Sequence, residues 1–168
     1  DETNERWEEI GANPDWAFTS PPFPPFISIL DGLANVVAAH PGTTFIGAHV
    51  GCYAENLNWV GAMLDRRPNY YIDISARIGE LGRQPYSARR FFIKYADRIL
   101  FGLDGGPNPE AYRLVYRFLE TDDEYFNYNG GEIPMQGRWF VHGLFLPDDV
   151  LEKVYRKNAE KIIAAANK

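Results

Sequence analysis

The sequence predicts an α/β fold in which a mostly parallel sheet is covered by helices, and three observations predict it. Strand and helix signals alternate along the chain, with no internal repeat and no low-complexity tract. Apolar runs of strand length stop at single polar residues, His49, Asp73 and Asp104, spaced 24 and 31 residues apart, about the length of one βα repeat. The composition, 168 residues with 45% hydrophobic and 24% charged content, describes one soluble globular unit with a substantial core.

The first 24 residues hold Pro14, Pro21, Pro22 and Pro24 among Trp7, Trp16, Phe18 and Phe23, which predicts an irregular segment pinned by its aromatics. Over 25–39, Phe26, Leu30, Leu33 and Val37 suit an amphipathic helix, and Pro41-Gly42 then forces a turn. A strand over 44–48 follows, ending at His49-Val-Gly51. Leu57, Val60 and Leu64 fall at helical spacing within 54–67, Pro68 closes that helix, and the β-prone run 70–75 carries Asp73. Pro85 opens a third helix that buries Ala88, Phe91, Phe92 and Tyr95 and delivers the chain to a strand over 98–103. Another helix is expected over 109–120.

The stretch 121–147 is too long and too aromatic for a simple connector, and reads as an irregular excursion of the packed or functional kind. A last helix opens at Pro147, with a stripe of Leu151, Val154, Asn158 and Ile162 in which Asn158 reads as a satisfied core amide. A (β/α)₈ barrel takes about 250 residues and eight strands, so three strands can supply only part of one. A free-standing doubly wound sheet is the alternative. Neither a Gly-x-Gly-x-x-Gly nor a P-loop pattern occurs, so nothing favours dinucleotide or phosphate binding.

Net charge of −6 and the lack of basic runs beyond pairs argue against a nucleic-acid partner. No apolar stretch approaches the roughly 18 residues that span a bilayer, and residues 1–7 lack the features of a signal peptide. Cys52 is the single cysteine; it excludes an internal disulfide, leaves both cytoplasm and export open, and reads as a small buried side chain.

His49 and Asp104 are the best site candidates, because each ends an apolar strand with glycine close behind, where parallel α/β enzymes present catalytic groups. Pro109 lies too far beyond Asp104 for that carboxylate to be a simple helix cap. Asp73 divides evenly between a site role and pairing with Arg77. Arg77 itself could clamp a substrate carboxylate, or neutralise Asp73 or Glu80. His40, at a helix C-terminus, and His142, among aromatics, read as structural, and the acidic run 122–124 as a solvated surface. Gly-x-Ser-x-Gly and His-Glu-x-x-His are both absent.

Four segments taken in order carry a resemblance: His40-Pro-Gly-Thr-Thr-Phe-Ile-Gly-Ala-His49-Val-Gly, Pro68-Asn-Tyr-Tyr-Ile-Asp-Ile-Ser-Ala-Arg77, Tyr95-Ala-Asp-Arg-Ile-Leu-Phe-Gly-Leu-Asp104 and Lys157-Asn-Ala-Glu. Across nearly its whole length the chain resembles the C-terminal half of an amidohydrolase-2-type metal-dependent hydrolase, a TIM-barrel group. The resemblance implies an incomplete barrel, approximately strands six to eight with their helices, so that 1–168 is one portion of a single domain. It makes His49 the histidine of strand six and Asp104 the aspartate of strand eight.

The family's His-x-His after strand one and histidine after strand five have no counterpart here, so the chain alone is expected to be inactive. The resemblance also implies a divalent ion, zinc by preference, held by those missing histidines and by Asp104. Asp104 would take the proton of the metal-activated water, His49 would shuttle a proton or orient the water, and Arg77 would fix an acidic substrate. Relatives with the same constellation imply non-oxidative decarboxylation as an alternative to hydrolysis of a C–O or C–N bond. A non-catalytic fragment, or a partner that completes a barrel, is the alternative from another class. The expected partner is a small molecule, carboxylated if Arg77 clamps it, with self-association open.

Overall fold

Three short strands, β1 (Phe45–Gly47), β2 (Tyr70–Asp73) and β3 (Ile99–Leu100), pair in parallel in the order β1-β2-β3. The computed structural model describes residues 3, 6–18, 21–106, 108–133 and 135–167. Phe45 pairs with Tyr70, Gly47 with Ile72, and Ile72 with Ile99. Alternation along a strand therefore sends Tyr70, Ile72 and Ile99 to one face, where all three are fully buried. Ile46 lies on the opposite face and stays half exposed.

Helices occupy the connections, as the periodicity predicts. Helix α2 (Phe26–Ala39) precedes β1 and buries Leu30 and Val37. Helix α4 (Leu57–Arg66) joins β1 to β2, and its N-cap Asn56 accepts from Trp59 N at 3.1 Å. Helices α5 (Ile78–Gly82) and α6 (Pro85–Lys94) join β2 to β3 and bury Leu81, Ala88, Phe91 and Phe92. Helix α7 (Pro109–Glu120) follows β3. Residues 121–147 then form no regular element beyond a single antiparallel bridge, Phe126 with Val141; Pro134 lies outside the described residues.

The final helix begins as α8 (Asp148–Glu152), passes through a wide π-type turn (Lys153–Lys157) and continues as α9 (Asn158–Ala166). That turn explains why β3 is shorter than the predicted 98–103. Phe101 N donates to Val154 O at 2.9 Å, so the last helix takes over where sheet pairing would continue. Asn158 donates its Nδ2 to Ala96 O and Ile99 O, each at 2.7 Å, which is the satisfied core amide its position suggested.

The N-terminus differs from expectation. Residues 7–12 form a helix, α1 (Trp7–Ala12), because the prolines that interrupt this region begin only at Pro14. Its aromatics are not the pins: Trp7, Trp16, Phe18 and Phe23 are all exposed. Glu9 is the buried side chain, held by Arg6 Nε at 2.6 Å.

Candidate active site

The site begins with a backbone of unusual handedness. Directly after β1, the one-turn element α3 (Ala48–Gly51) and its cap Cys52 wind left: φ is 58° at His49, 57° at Val50, 64° at Gly51 and 59° at Cys52. An L-residue in this conformation costs roughly 1–2 kcal/mol, and a β-branched valine is an outlier there. Two features hold the turn. Cys52 N donates to Ala48 O and His49 O at 3.1 and 2.9 Å, and the Asp73 carboxylate reaches across from β2. The same winding turns Cys52 outward, so the cysteine is exposed rather than buried as its composition class suggested.

Asp73 is the hub of this cross-strand arrangement. Its Oδ1 accepts from His49 N at 3.0 Å, Ser75 N at 3.0 Å and Ser75 Oγ at 2.5 Å. Of the two expected roles for Asp73, pairing with Arg77 is not the one the structure shows, since its Oδ1 accepts from backbone and serine. The His49 ring sits 2.9 Å from Ser75 O and 3.1 Å from Ser75 Oγ through Nδ1. A carbonyl can only accept, so Nδ1 is the donor, which in the neutral imidazole leaves the lone pair on Nε2. Ser75 was not singled out by sequence, although the Asp-x-Ser spacing already places both side chains on one face of an extended segment.

Gly102, just past β3, closes the row. A Cβ there would stand 3.4 Å from both Cβ and Cγ of Asp73, at van der Waals contact, so the third strand lies directly beside the hub. Two residues later Asp104 is exposed and lines a cavity of about 520 Å³. Helix α7 is capped by Asn108, whose Oδ1 accepts from Glu110 N and Ala111 N at 2.9 and 3.4 Å. Asp104 is thus relieved of the capping role that was its bland alternative.

The sheet brings His49, Asp73, Ser75 and Gly102 together at one end and sets Asp104 beyond them, but His49 is not among the described residues that line the cavity. Arg77 is not among them either. It stands at the N-cap of α5, donates to Ala76 O at 2.6 Å and acts electrostatically on Glu80. His40 caps the C-terminus of α2, and His142 accepts from Tyr125 N at 3.3 Å, so both hold structural places.

A buried acid, Glu80, enters the sequence analysis only as a partner for Arg77, with no sign of its burial. Glu80 is 2% exposed, and neither carboxylate oxygen has a hydrogen-bond partner; Arg6 Nη1 stands 3.8 Å from its Oε1. Burial raises its pKa above the ordinary glutamate value, outweighing Arg77 and Arg6, with Glu55 adding to the rise. The folded state therefore binds this proton more tightly than the unfolded chain, and stability from Glu80 declines as pH climbs from 4.5 through the raised value. Glu80→Gln is expected to leave the melting temperature nearly unchanged at about pH 4 and to raise it at about pH 8. A shift of equal size at both pH values would contradict this account.

The donor chemistry does not fit a complete metal centre. Among the described residues no three His, Cys, Asp or Glu side chains stand close enough to hold an ion, whereas zinc usually takes three or four protein ligands. We expect the chain to bind zinc weakly in equilibrium dialysis. Stoichiometric binding that survives extended dialysis would show that a third ligand exists.

Comparison with known proteins adds one finding. A family model described as amidohydrolase matches residues 24–164, a span that includes all three strands, His49, Arg77 and Asp104. No curated protein and no solved structure matches the chain.

Proposed function

The chain belongs to the amidohydrolase family, and from that premise we propose that it forms strands six to eight of a barrel that hydrolyses a C–O or C–N bond, with 121–147 as an excursion of the same domain. Its expected substrate is a small molecule. The observation that carries the reading is Asp104: an exposed carboxylate past the end of β3, lining a cavity, with the neighbouring helix capped by another residue. The family's use of divalent metals points to a metal-activated water in the whole enzyme. The residues described here do not by themselves make that centre.

Asp104 is the proton acceptor. As the water oxygen bonds to the substrate carbonyl carbon, its proton passes to the Asp104 carboxylate. Collapse of the tetrahedral adduct breaks the C–O or C–N bond, and a proton goes to the departing heteroatom. His49 serves that second transfer or orients the water through Nε2, since Nδ1 is committed to Ser75. Asp73 and Ser75 act on the reaction only through His49, by holding its backbone and ring.

Arg77 enters with its other role, acting electrostatically on Glu80, while its guanidinium donates to Ala76 O. A pH-stat screen of lactones, esters and anilides with the full-length protein tests the reading. Hydrolysis of at least one class supports it; carbon dioxide release from an aromatic acid without hydrolysis of any of them would replace it with the lyase alternative.

A further inference from the structure

The floor of the Asp104 cavity is apolar, with Ile74 after β2, Leu103 before Asp104, and Leu114 and Val115 from α7. A wall is added from the 121–147 excursion by Tyr128, Met135 and Gln136. Asp104 is the only charged side chain among the described lining residues.

The wall is built before any ligand arrives. Tyr128 Oη donates to Gly137 O at 3.2 Å and to Met135 O at 3.4 Å, and Asn129 Nδ2 donates to the same Met135 O at 2.8 Å. Gln136 Nε2 donates to Ala76 O, tying the wall to the end of β2. Its seat on α5 is tight at Gly79: a Cβ there would stand 3.0 Å from Tyr128 Oη and 3.1 Å from Gln136 Oε1. Gly79 O in turn accepts from Trp139 Nε1 at 2.9 Å. Burial beside Glu80 keeps the Tyr128 phenol protonated far above neutral pH.

We propose that Tyr128, Asn129, Met135 and Gln136 are the specificity wall of the Asp104 cavity and that the wall selects an uncharged group with an apolar body, an amide or neutral acyl group, over a carboxylate. A carboxylate placed there would lose hydration, meet no cation among the described lining residues and face Asp104. The one arginine expected to receive it, Arg77, is turned to Ala76 O. An amide or acyl group carries no such charge, and a wall already ordered costs little further entropy on binding. The inference rests on the hydrolase reading of Asp104 for calling this ligand a substrate, and it disfavours the decarboxylase alternative.

The test titrates the full chain with phenylacetamide and, separately, with phenylacetate, following the amide resonances of Met135 and Gln136. Phenylacetamide is expected to bind saturably and at least about tenfold more tightly than the acid. The same order is expected in Asp104→Asn, which removes the charge of Asp104 as its cause. Met135→Arg, at an exposed position, is expected to cut the preference to about threefold or reverse it. Equal or tighter binding of phenylacetate in Asp104→Asn, no saturable binding of the amide, or an unaltered preference in Met135→Arg would each overturn the proposal. The hydrolase reading fails by a separate route: Asp104→Asn in the full-length enzyme would keep its turnover of a neutral ester while the ligand preference persists.

Discussion

In the full-length enzyme, Asp104→Asn is expected to lower turnover by about a hundred- to ten-thousandfold, the range typical for loss of a general acid or base. Asparagine keeps the shape and most of the hydrogen bonding of the side chain and removes only its basicity. Because Asp104 is exposed and caps no helix, the melting temperature should barely move. That contrast separates a chemical role from a structural one. Asp104→Glu, which restores a carboxylate at a slightly different reach, should recover part of the rate. Unchanged turnover in Asp104→Asn would remove the carboxylate from the mechanism altogether.

The second large effect is expected at Gly47. A Cβ there would lie 1.9 Å from Tyr70 Oη and 2.6 Å from Tyr70 Cζ, and one at Gly51 would lie 2.5 Å from the same hydroxyl. Tyr70 is fully buried, and its hydroxyl has no hydrogen-bond partner, so the ring cannot step aside into solvent. Gly47→Ala should destabilise by about 1–3 kcal/mol, roughly 2–12 °C in melting temperature for a chain of this size. Activity should fall with it, because the ring supports the turn that presents His49. Adding Tyr70→Phe should restore part of the loss, since it removes the nearer contact and an unsatisfied hydroxyl. A wild-type melting curve for Gly47→Ala would mean that Tyr70 is free to move.

Local pattern accounts for what the sequence made legible. Helix α7 was readable because Pro109 and the apolar stripe mark it without long-range help, and Asn158 because one amide in an apolar stripe needs partners. His49 and Asp104 stood out because an apolar run ends abruptly at each. The left-handed turn was not legible: Val50 is a residue that local preference steers away from positive φ, and the contact that offsets this joins His49 to Asp73, 24 positions further on. Glu80 was hidden for the same reason, because its burial arises from packing between segments that are remote in the chain. At the N-terminus, prolines and aromatics suggested pinning, while the actual anchor is a glutamate whose type is almost never fully buried unless paired.

The turn after β1 also says something about the chirality of the chain. At Cys52, where φ is 59° and the side chain is exposed, a D-amino acid would occupy its own favoured helical region and give up no packing. A semisynthetic protein with D-alanine at 52 should therefore be more stable than one with L-alanine by about 1 kcal/mol. The reverse preference would hold at Ala39, in the right-handed α2. Mirror-image substitution thus becomes a probe of where this fold runs against the handedness of its own building blocks, and the answer is beside His49.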